Sequence, residues 1–196
     1  MLTMASMGMR ALREFARAAA APRCELCAGP LPARHEHVLD RRNGALRCAC
    51  ASCGLGVTAK TPWERVARQC RPVPLSLDAD TWAALQVPIN LAFFWRRGST
   101  GQIVAMFPSP AGATESEVPA YAWAALVARA PSLGDLRADV EALLICRVHL
   151  PALSYVVSMD LCFELVGLLR LHWRGFSGGA DVWQHLQRFF AELTHA

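Results

Sequence analysis

Five of the eight cysteines fall within 30 positions, from Cys24 to Cys53. Four of them form two C-x-x-C units, Cys24 with Cys27 and Cys50 with Cys53, and 22 residues separate the units. This spacing is typical of zinc ribbons, in which two tight turns each present two thiolates to one ion. It predicts a tetrahedral site of four sulfur atoms. Zinc is the first expectation, and rubredoxin-like iron is the alternative because tetrahedral sulfur suits both metals.

Three further residues beside these pairs carry metal-binding atoms. Cys48 lies two positions before Cys50, and His35 and His37 are also two positions apart. Residues two apart on a strand share one face, so Cys48 could complete the site and the two imidazoles could join it. One interpretation is a histidine-containing or second metal site. The other is that Cys48 is a small buried residue and both histidines are solvated.

A hairpin has to bring the two cysteine pairs together. Residues 36–39 and 45–48 flank the sequence Asp-Arg-Arg-Asn-Gly, and Asn-Gly is a strong turn signal. Gly29 and Gly54, close behind the two pairs, allow the open backbone that such turns need. We therefore expect a metal-binding module over residues 22–57, preceded by an amphipathic helix or flexible segment over residues 1–21.

The rest of the chain predicts a larger α+β body. Residues 58–74, rich in proline and arginine, are predicted to connect the module to a body over residues 75–196. Strands are expected at 89–95, 102–107, 140–148 and 155–159, helices at 81–85, 119–129, 160–171 and 181–193, and a loop at 108–116. Asp80 and Asp160 are expected to cap two of these helices. Hairpin strands with segregated helices are typical of an α+β fold, here a zinc-ribbon-like hairpin followed by a mixed antiparallel-sheet and helix body.

Composition excludes several classes of protein. The 196 residues are 54% hydrophobic and 18% charged, unlike a disordered chain. The longest apolar stretches, 88–95 and 161–171, are too short to cross a bilayer. A net charge of only +4 argues against a nucleic-acid partner. Arginines interrupt the N-terminal segment, so we expect no secretory signal and a reducing, cytoplasmic location.

Catalytic motifs are missing from the sequence. No nucleophile, base and orienting group stand at a recognised spacing, which favours a non-enzymatic role without deciding it. A protein-binding surface is expected at Glu115 and at the turn that contains Trp173 and Arg174. Loops on a rigid scaffold often carry recognition, and tryptophan and arginine often anchor interfaces.

Six stretches together carry a resemblance to a known family. They are Cys24-Glu-Leu-Cys27, Cys48-Ala-Cys50-Ala-Ser-Cys53, Leu91-Ala-Phe-Phe-Trp95, residues 107–116, Asp139-Val-Glu-Ala-Leu-Leu144 and residues 172–179. Their combination resembles an uncharacterised bacterial domain-of-unknown-function family encoded in gene clusters for nickel-iron hydrogenases of the high-affinity, oxygen-tolerant type. The resemblance implies an accessory role in hydrogenase maturation or assembly, with hydrogenase subunits or maturation factors as partners. The alternative is a rubredoxin-like electron carrier that serves hydrogenase.

Overall fold

The structure is a computed structural model that describes residues 23–32, 35–109, 112–148, 152–173 and 179–194. The helix or flexible segment expected at residues 1–21, and Arg174, lie outside the described residues. The elements, in chain order, are β1 (Glu36–Asp40), β2 (Ala45–Ala49), α1 (Ala51–Leu55), β3 (Trp63–Val66), β4 (Cys70–Pro72), α2 (Ala79–Ala84), β5 (Leu91–Arg96), β6 (Ile103–Ser109), β7 (Gly112–Glu117), α3 (Ala120–Arg129), a 3-10 helix (Pro131–Leu133), β8 (Glu141–Cys146), β9 (Leu153–Ser158), α4 (Met159–His172) and α5 (Gly179–Thr194).

A small sheet of order β2-β1-β3 carries the N-terminal hairpin. The predicted β1–β2 pairing is confirmed, with Asp40 opposite Ala45 at the turn. Gly44 takes the left-handed conformation there (φ +69°), and its N–H donates to the Asp40 carbonyl at 2.8 Å. A side chain at Gly44 would be strained in this conformation, which explains the glycine of the Asn-Gly turn. The third strand, β3, comes from the segment that we predicted as a connector.

A larger antiparallel sheet of order β4-β9-β8-β5-β6-β7 forms the body. Helices cover both of its faces. Neighbouring residues of β5 serve opposite faces: Phe94 packs with α2 and α3, and Phe93 packs with α4 and α5. Because both faces are buried, the central strands read as continuous apolar runs rather than alternating ones. The expected α+β class, with antiparallel strands and helices, is confirmed.

Two local predictions in the body are wrong. The expected loop at 108–116 contains most of β7, which pairs with β6 as far as Ser109 opposite Gly112. Gly112 and Pro108 belong to the end of an edge hairpin, where proline is tolerated. The cap of α2 is Asp78 rather than Asp80, because Asp78 keeps extended backbone angles and its Oδ1 accepts from Thr81 N–H at 2.7 Å.

The second capping prediction is also wrong. Asp160 lies inside the first turn of α4, and the residue at the cap position is Ser158. The Asp160 carboxylate is buried, with the residue 7% exposed. It therefore belongs to the packing between the two sheets rather than to the end of a solvated helix.

The small sheet contacts the body through an apolar cluster and through ion pairs. Leu39 of β1, Val66 of β3 and Val140 before β8 are buried together. Arg68 pairs with Glu164 of α4 at 2.8 Å, and Arg137 pairs with Glu64 of β3. Within the described ranges, no helix has both the length and the apolar character needed to cross a membrane.

Candidate metal centre

The structure brings together the four cysteines that the spacing selected. The Sγ atoms of Cys24, Cys27, Cys50 and Cys53 all lie within 4.8 Å of one another. Cys27 Sγ and Cys50 Sγ are 3.8 Å apart. A Zn–S bond of about 2.3 Å places sulfur atoms about 3.8 Å apart in a regular tetrahedron, whereas a disulfide needs about 2.05 Å. The donor set and the spacing therefore fit a metal tetrathiolate, and all eight cysteines are free thiols.

The first cysteine pair sits in a tight loop. Cys24 N–H donates to the Gly29 carbonyl at 2.8 Å, and Ala28 N–H donates to the Cys24 carbonyl at 2.7 Å. Ala28 takes a positive φ of 61° to close this turn. A Cβ on Gly29 would lie 3.3 Å from Cys27 Sγ, a tight contact that the glycine avoids. This loop turns both thiols toward the hairpin.

The second pair sits at the start of α1. Cys50 keeps extended backbone angles and forms the N-cap position of this helix, and Gly54 N–H donates to the Cys50 carbonyl at 2.9 Å. The change from strand to helix directly after Cys50 places Cys53 one turn further on, beside it. Two short turns therefore supply two thiols each, as in a zinc ribbon.

Glu25, between the two cysteines of the first pair, joins the two halves of the site. Its backbone N–H donates to the Cys48 carbonyl at 2.9 Å, and its Oε2 accepts from Cys48 N–H at 2.6 Å. Arg47 Nη1 lies 3.1 Å from Glu25 Oε1. The Cys48 amide and Arg47 lower the pKa of Glu25, although burial opposes them. Sequence reasoning missed this residue, because its role depends on a pairing across the hairpin.

The environment of Cys24 favours a thiolate. Burial acts to raise its pKa, but backbone N–H donors from Cys50, Leu26 and Cys27 outweigh burial and bring the pKa to about 6. Hydrogen bonds with the Cys50 and Cys27 thiols hold the pKa of Cys53 at about 12. Without an ion, Cys53 therefore keeps its proton at neutral pH, whereas Cys24 favours the thiolate. A bound cation would displace the remaining protons, since metal ligation requires thiolates.

The three extra ligand candidates form a separate group. Donor atoms of His35, His37 and Cys48 lie within 4.8 Å of one another. Cys48 of β2 lies directly opposite His37 of β1, and the two imidazole rings are 4.7 Å apart. The Cys48 and Cys50 thiols belong to different groups because β2 ends at Ala49, between them. The two-residue rule for a common face holds only while a strand continues.

Asp160 is a neighbour of this second group that sequence reasoning did not place there. Its Oδ2 lies 3.8 Å from His37 Nδ1 and 3.8 Å from Arg68 Nη1. Burial lowers the pKa of His37, and the Asp160 charge opposes that effect. No sequence signal links these residues, because 123 positions separate them along the chain.

A family model described as a family of unknown function (DUF5947) matches residues 23–196. The chain belongs to DUF5947. The match covers the cysteine-rich hairpin as well as the body. No curated protein and no solved structure matches the chain.

The residues expected to form a partner surface in this DUF5947 member lie on different elements. Glu115 is in β7, opposite Met106 of β6, and pairs with Arg97. Trp173 follows the last turn of α4, where its ring meets the Trp183 ring at 6.2 Å and 60°. The third member of the predicted surface, Arg174, is outside the described part of the chain.

Proposed function

We propose that this protein is a non-enzymatic metal-binding accessory protein. In this proposal it acts in nickel-iron hydrogenase maturation or assembly, in the cytoplasm, through contacts with hydrogenase subunits or maturation factors. The observation that carries the metal-binding part is the group of four Sγ atoms within 4.8 Å. The hydrogenase part is supported by the resemblance of the six sequence stretches.

Zinc is the proposed ion at Cys24, Cys27, Cys50 and Cys53. The small sheet has little apolar core of its own, with Cys24, Leu31, Val38 and Ala49 as its buried cluster. A module with so small a core gains much of its folding energy from a structural ion, about 10–16 kcal/mol of apparent binding in small zinc modules. The ion would hold the hairpin and present its surface to a partner.

A rubredoxin-like iron carrier is the second candidate. Cys27 is exposed, which would leave one sulfur of an iron centre open to an electron-transfer partner. Elemental analysis of protein purified with and without oxygen separates the candidates. Zinc gives about one colourless ion at this site, whereas ferric tetrathiolate gives a red protein that bleaches on reduction. A red, reversibly reducible protein would replace the zinc proposal.

Substitution of Cys50 tests the ligand set. Cys50→Ser should remove the ion, because a neutral hydroxyl is a poor replacement for a thiolate ligand. Cys146→Ala is the matched control, since Cys146 is buried in β8 and belongs to the body core. The measurement is occupancy of the four-sulfur site per folded chain, read from the tetrathiolate spectrum of the cobalt-substituted protein. Full occupancy of the four-sulfur site in Cys50→Ser would show that Cys50 is not a ligand.

The partner surface has its own test. Glu115 and its partner Arg97 are both partly exposed, so removal of the carboxylate should change the free energy of unfolding by no more than about 0.5 kcal/mol. The double variant with Glu115→Ala and Arg174→Ala should weaken co-purification with hydrogenase or its assembly factors. Glu117→Ala, on the same strand, is the control. Unchanged co-purification of the double variant would exclude this surface.

A further inference from the structure

We propose that His35, His37 and Cys48 form a second metal site, separate from the four-cysteine site. The site would take one zinc-like divalent ion, held by two imidazole nitrogens and one thiolate, with a fourth position open to the cleft beside it. The inference does not depend on the hydrogenase proposal. It rests on hydrogen bonding, burial and register within the hairpin.

The first support is the hydrogen bonding of His35. Its Nδ1 lies 3.0 Å from the Pro32 carbonyl oxygen, which can only accept, so Nδ1 carries the proton. The lone pair is then on Nε2. That atom is buried and has no hydrogen-bond partner. A buried acceptor without a partner is costly, and a metal ion would satisfy it.

The second support is a second unpartnered ring nitrogen, on His37. Its Nδ1 is also buried and without a hydrogen-bond partner, and it faces Asp160 Oδ2 at 3.8 Å. Asp160 Oδ1 is buried without a partner as well. Metal-binding histidines commonly donate their second ring N–H to a carbonyl or a carboxylate. Pro32 plays this part for His35 and leaves its Nε2 for an ion. Asp160 Oδ2 is a carboxylate oxygen near His37 Nδ1, but at 3.8 Å it is beyond hydrogen-bond distance, so Nδ1 keeps no protein partner.

The third support is the position of Cys48. The hairpin register places Cys48 opposite His37, so the thiol and the imidazole belong to directly facing residues. The three donors lie within 4.8 Å of one another. A tetrahedral ion needs donors roughly 3.3–3.8 Å apart, which small side-chain rotations can provide. The pairing of Glu25 with the Cys48 backbone holds this strand beside the first site.

The set of donors indicates the kind of ion and its coordination. Imidazole and thiolate together suit zinc, copper or cobalt rather than magnesium or calcium. Three protein ligands with an open position are typical of exchangeable or catalytic zinc, whereas structural zinc has four. The cleft beside the site is lined by His35, His37, Arg68 and Asp160, so an ion can enter from solvent. We therefore expect weaker, more easily exchanged binding than at the four-cysteine site.

Cobalt titration of metal-free full-length protein tests the proposal. Wild type should bind two Co²⁺ per chain in two steps, and the weaker step should add a thiolate-to-cobalt band. His35→Gln and Cys48→Ser should each reduce binding to one ion and keep the tetrathiolate spectrum, which also shows that the hairpin is folded. His185→Gln, in α5, is the matched histidine control and should bind two. One ion in wild type, or two in both site variants, would overturn the proposal.

Two further variants separate this site from the first one and test Asp160. Cys50→Ser should remove the tetrathiolate step and leave the weaker step, so failure of one site does not resemble failure of the other. Asp160→Asn should weaken only the second step, by about 10–100-fold, as expected for a residue that orients a ligand. Glu164→Gln, one turn along α4, should leave both affinities unchanged. Equal weakening of both steps by Asp160→Asn would assign Asp160 a general structural role instead.

Discussion

At the scale of single residues, Glu25 connects the first cysteine pair to the strand that carries Cys48. Its carboxylate accepts from the Cys48 N–H at 2.6 Å and pairs with Arg47 at 3.1 Å. Hydrogen bonds to a charged group contribute more than neutral ones, and this group is only partly screened by solvent. Glu25 therefore stabilises both the loop before the hairpin and the strand after it.

Replacement of Glu25 should weaken the hairpin. In Glu25→Ala the Cys48 N–H loses its acceptor, and we expect the free energy of unfolding to fall by about 1 kcal/mol. We also expect weaker zinc binding, because the two cysteine pairs lose a connection. Denaturant unfolding and competitive zinc titration measure the two effects. Glu117→Ala, an exposed position in β7, is the control, and equal effects of both variants would contradict the role of Glu25.

At the scale of secondary-structure elements, the start of α2 shows how one backbone angle selects between two aspartates. The sequence Asp78-Ala-Asp80 offers two caps, and only Asp78 has extended angles before the helix. Its hydrogen bonds to Thr81, together with Arg129, lower its pKa from 3.8 to about 2. The folded state therefore prefers the charged carboxylate.

The cap makes a pH-dependent contribution with a definite sign. Because the folded pKa of Asp78 lies below its ordinary value, the contribution is complete above about pH 4 and is lost as the pH falls toward 2. Asp78→Ala should lower Tm by about 2–4 °C at pH 6, and this difference should shrink on acidification. Asp80→Ala should lower Tm less. A larger decrease in Tm for Asp80→Ala than for Asp78→Ala would show that Asp80 is the cap.

At the scale of the whole molecule, the small sheet that carries the four-cysteine group is joined to a body with its own core. Phe94, Leu143 and Leu144 are fully buried in the central strands of the large sheet. The contact between the parts is small, with Leu39, Val66 and Val140 as its buried apolar residues. The two parts should therefore differ in their dependence on metal.

Metal removal should loosen one part and spare the other. After chelation we expect faster amide exchange in β1, β2 and β3, because β3 is bonded to the hairpin through β1. Protection in β5 and β8 should persist, since their core contains no metal ligand of the four-cysteine site. Hydrogen exchange followed by mass spectrometry measures both regions, with metal-loaded protein as the control. Equal loss of protection in β5 and β8 would mean that the molecule unfolds as one unit.

Much of this arrangement could be predicted from short-range patterns. The two C-x-x-C units and the Asn-Gly turn predicted which four sulfur atoms lie together. Such motifs can be recognised in a sequence because each involves residues only a few positions apart. Apolar runs predicted β5, β8 and the main helices for the same reason. The edge strand β7 was missed, because its glycine and polar residues are typical of loops and only pairing with β6 makes them a strand.

Spacing, turn chemistry and periodicity predicted the four-cysteine group, the hairpin between its halves and the α+β class, because all three are properties of residues close together in the chain. The grouping of Cys48 with His35 and His37, and the position of Asp160 opposite His37, became visible in the fold alone. The first of these depends on where β2 ends, and the second on the packing of α4 against the small sheet. Contacts of this kind come from the closure of the chain over long separations, which local residue preferences do not encode.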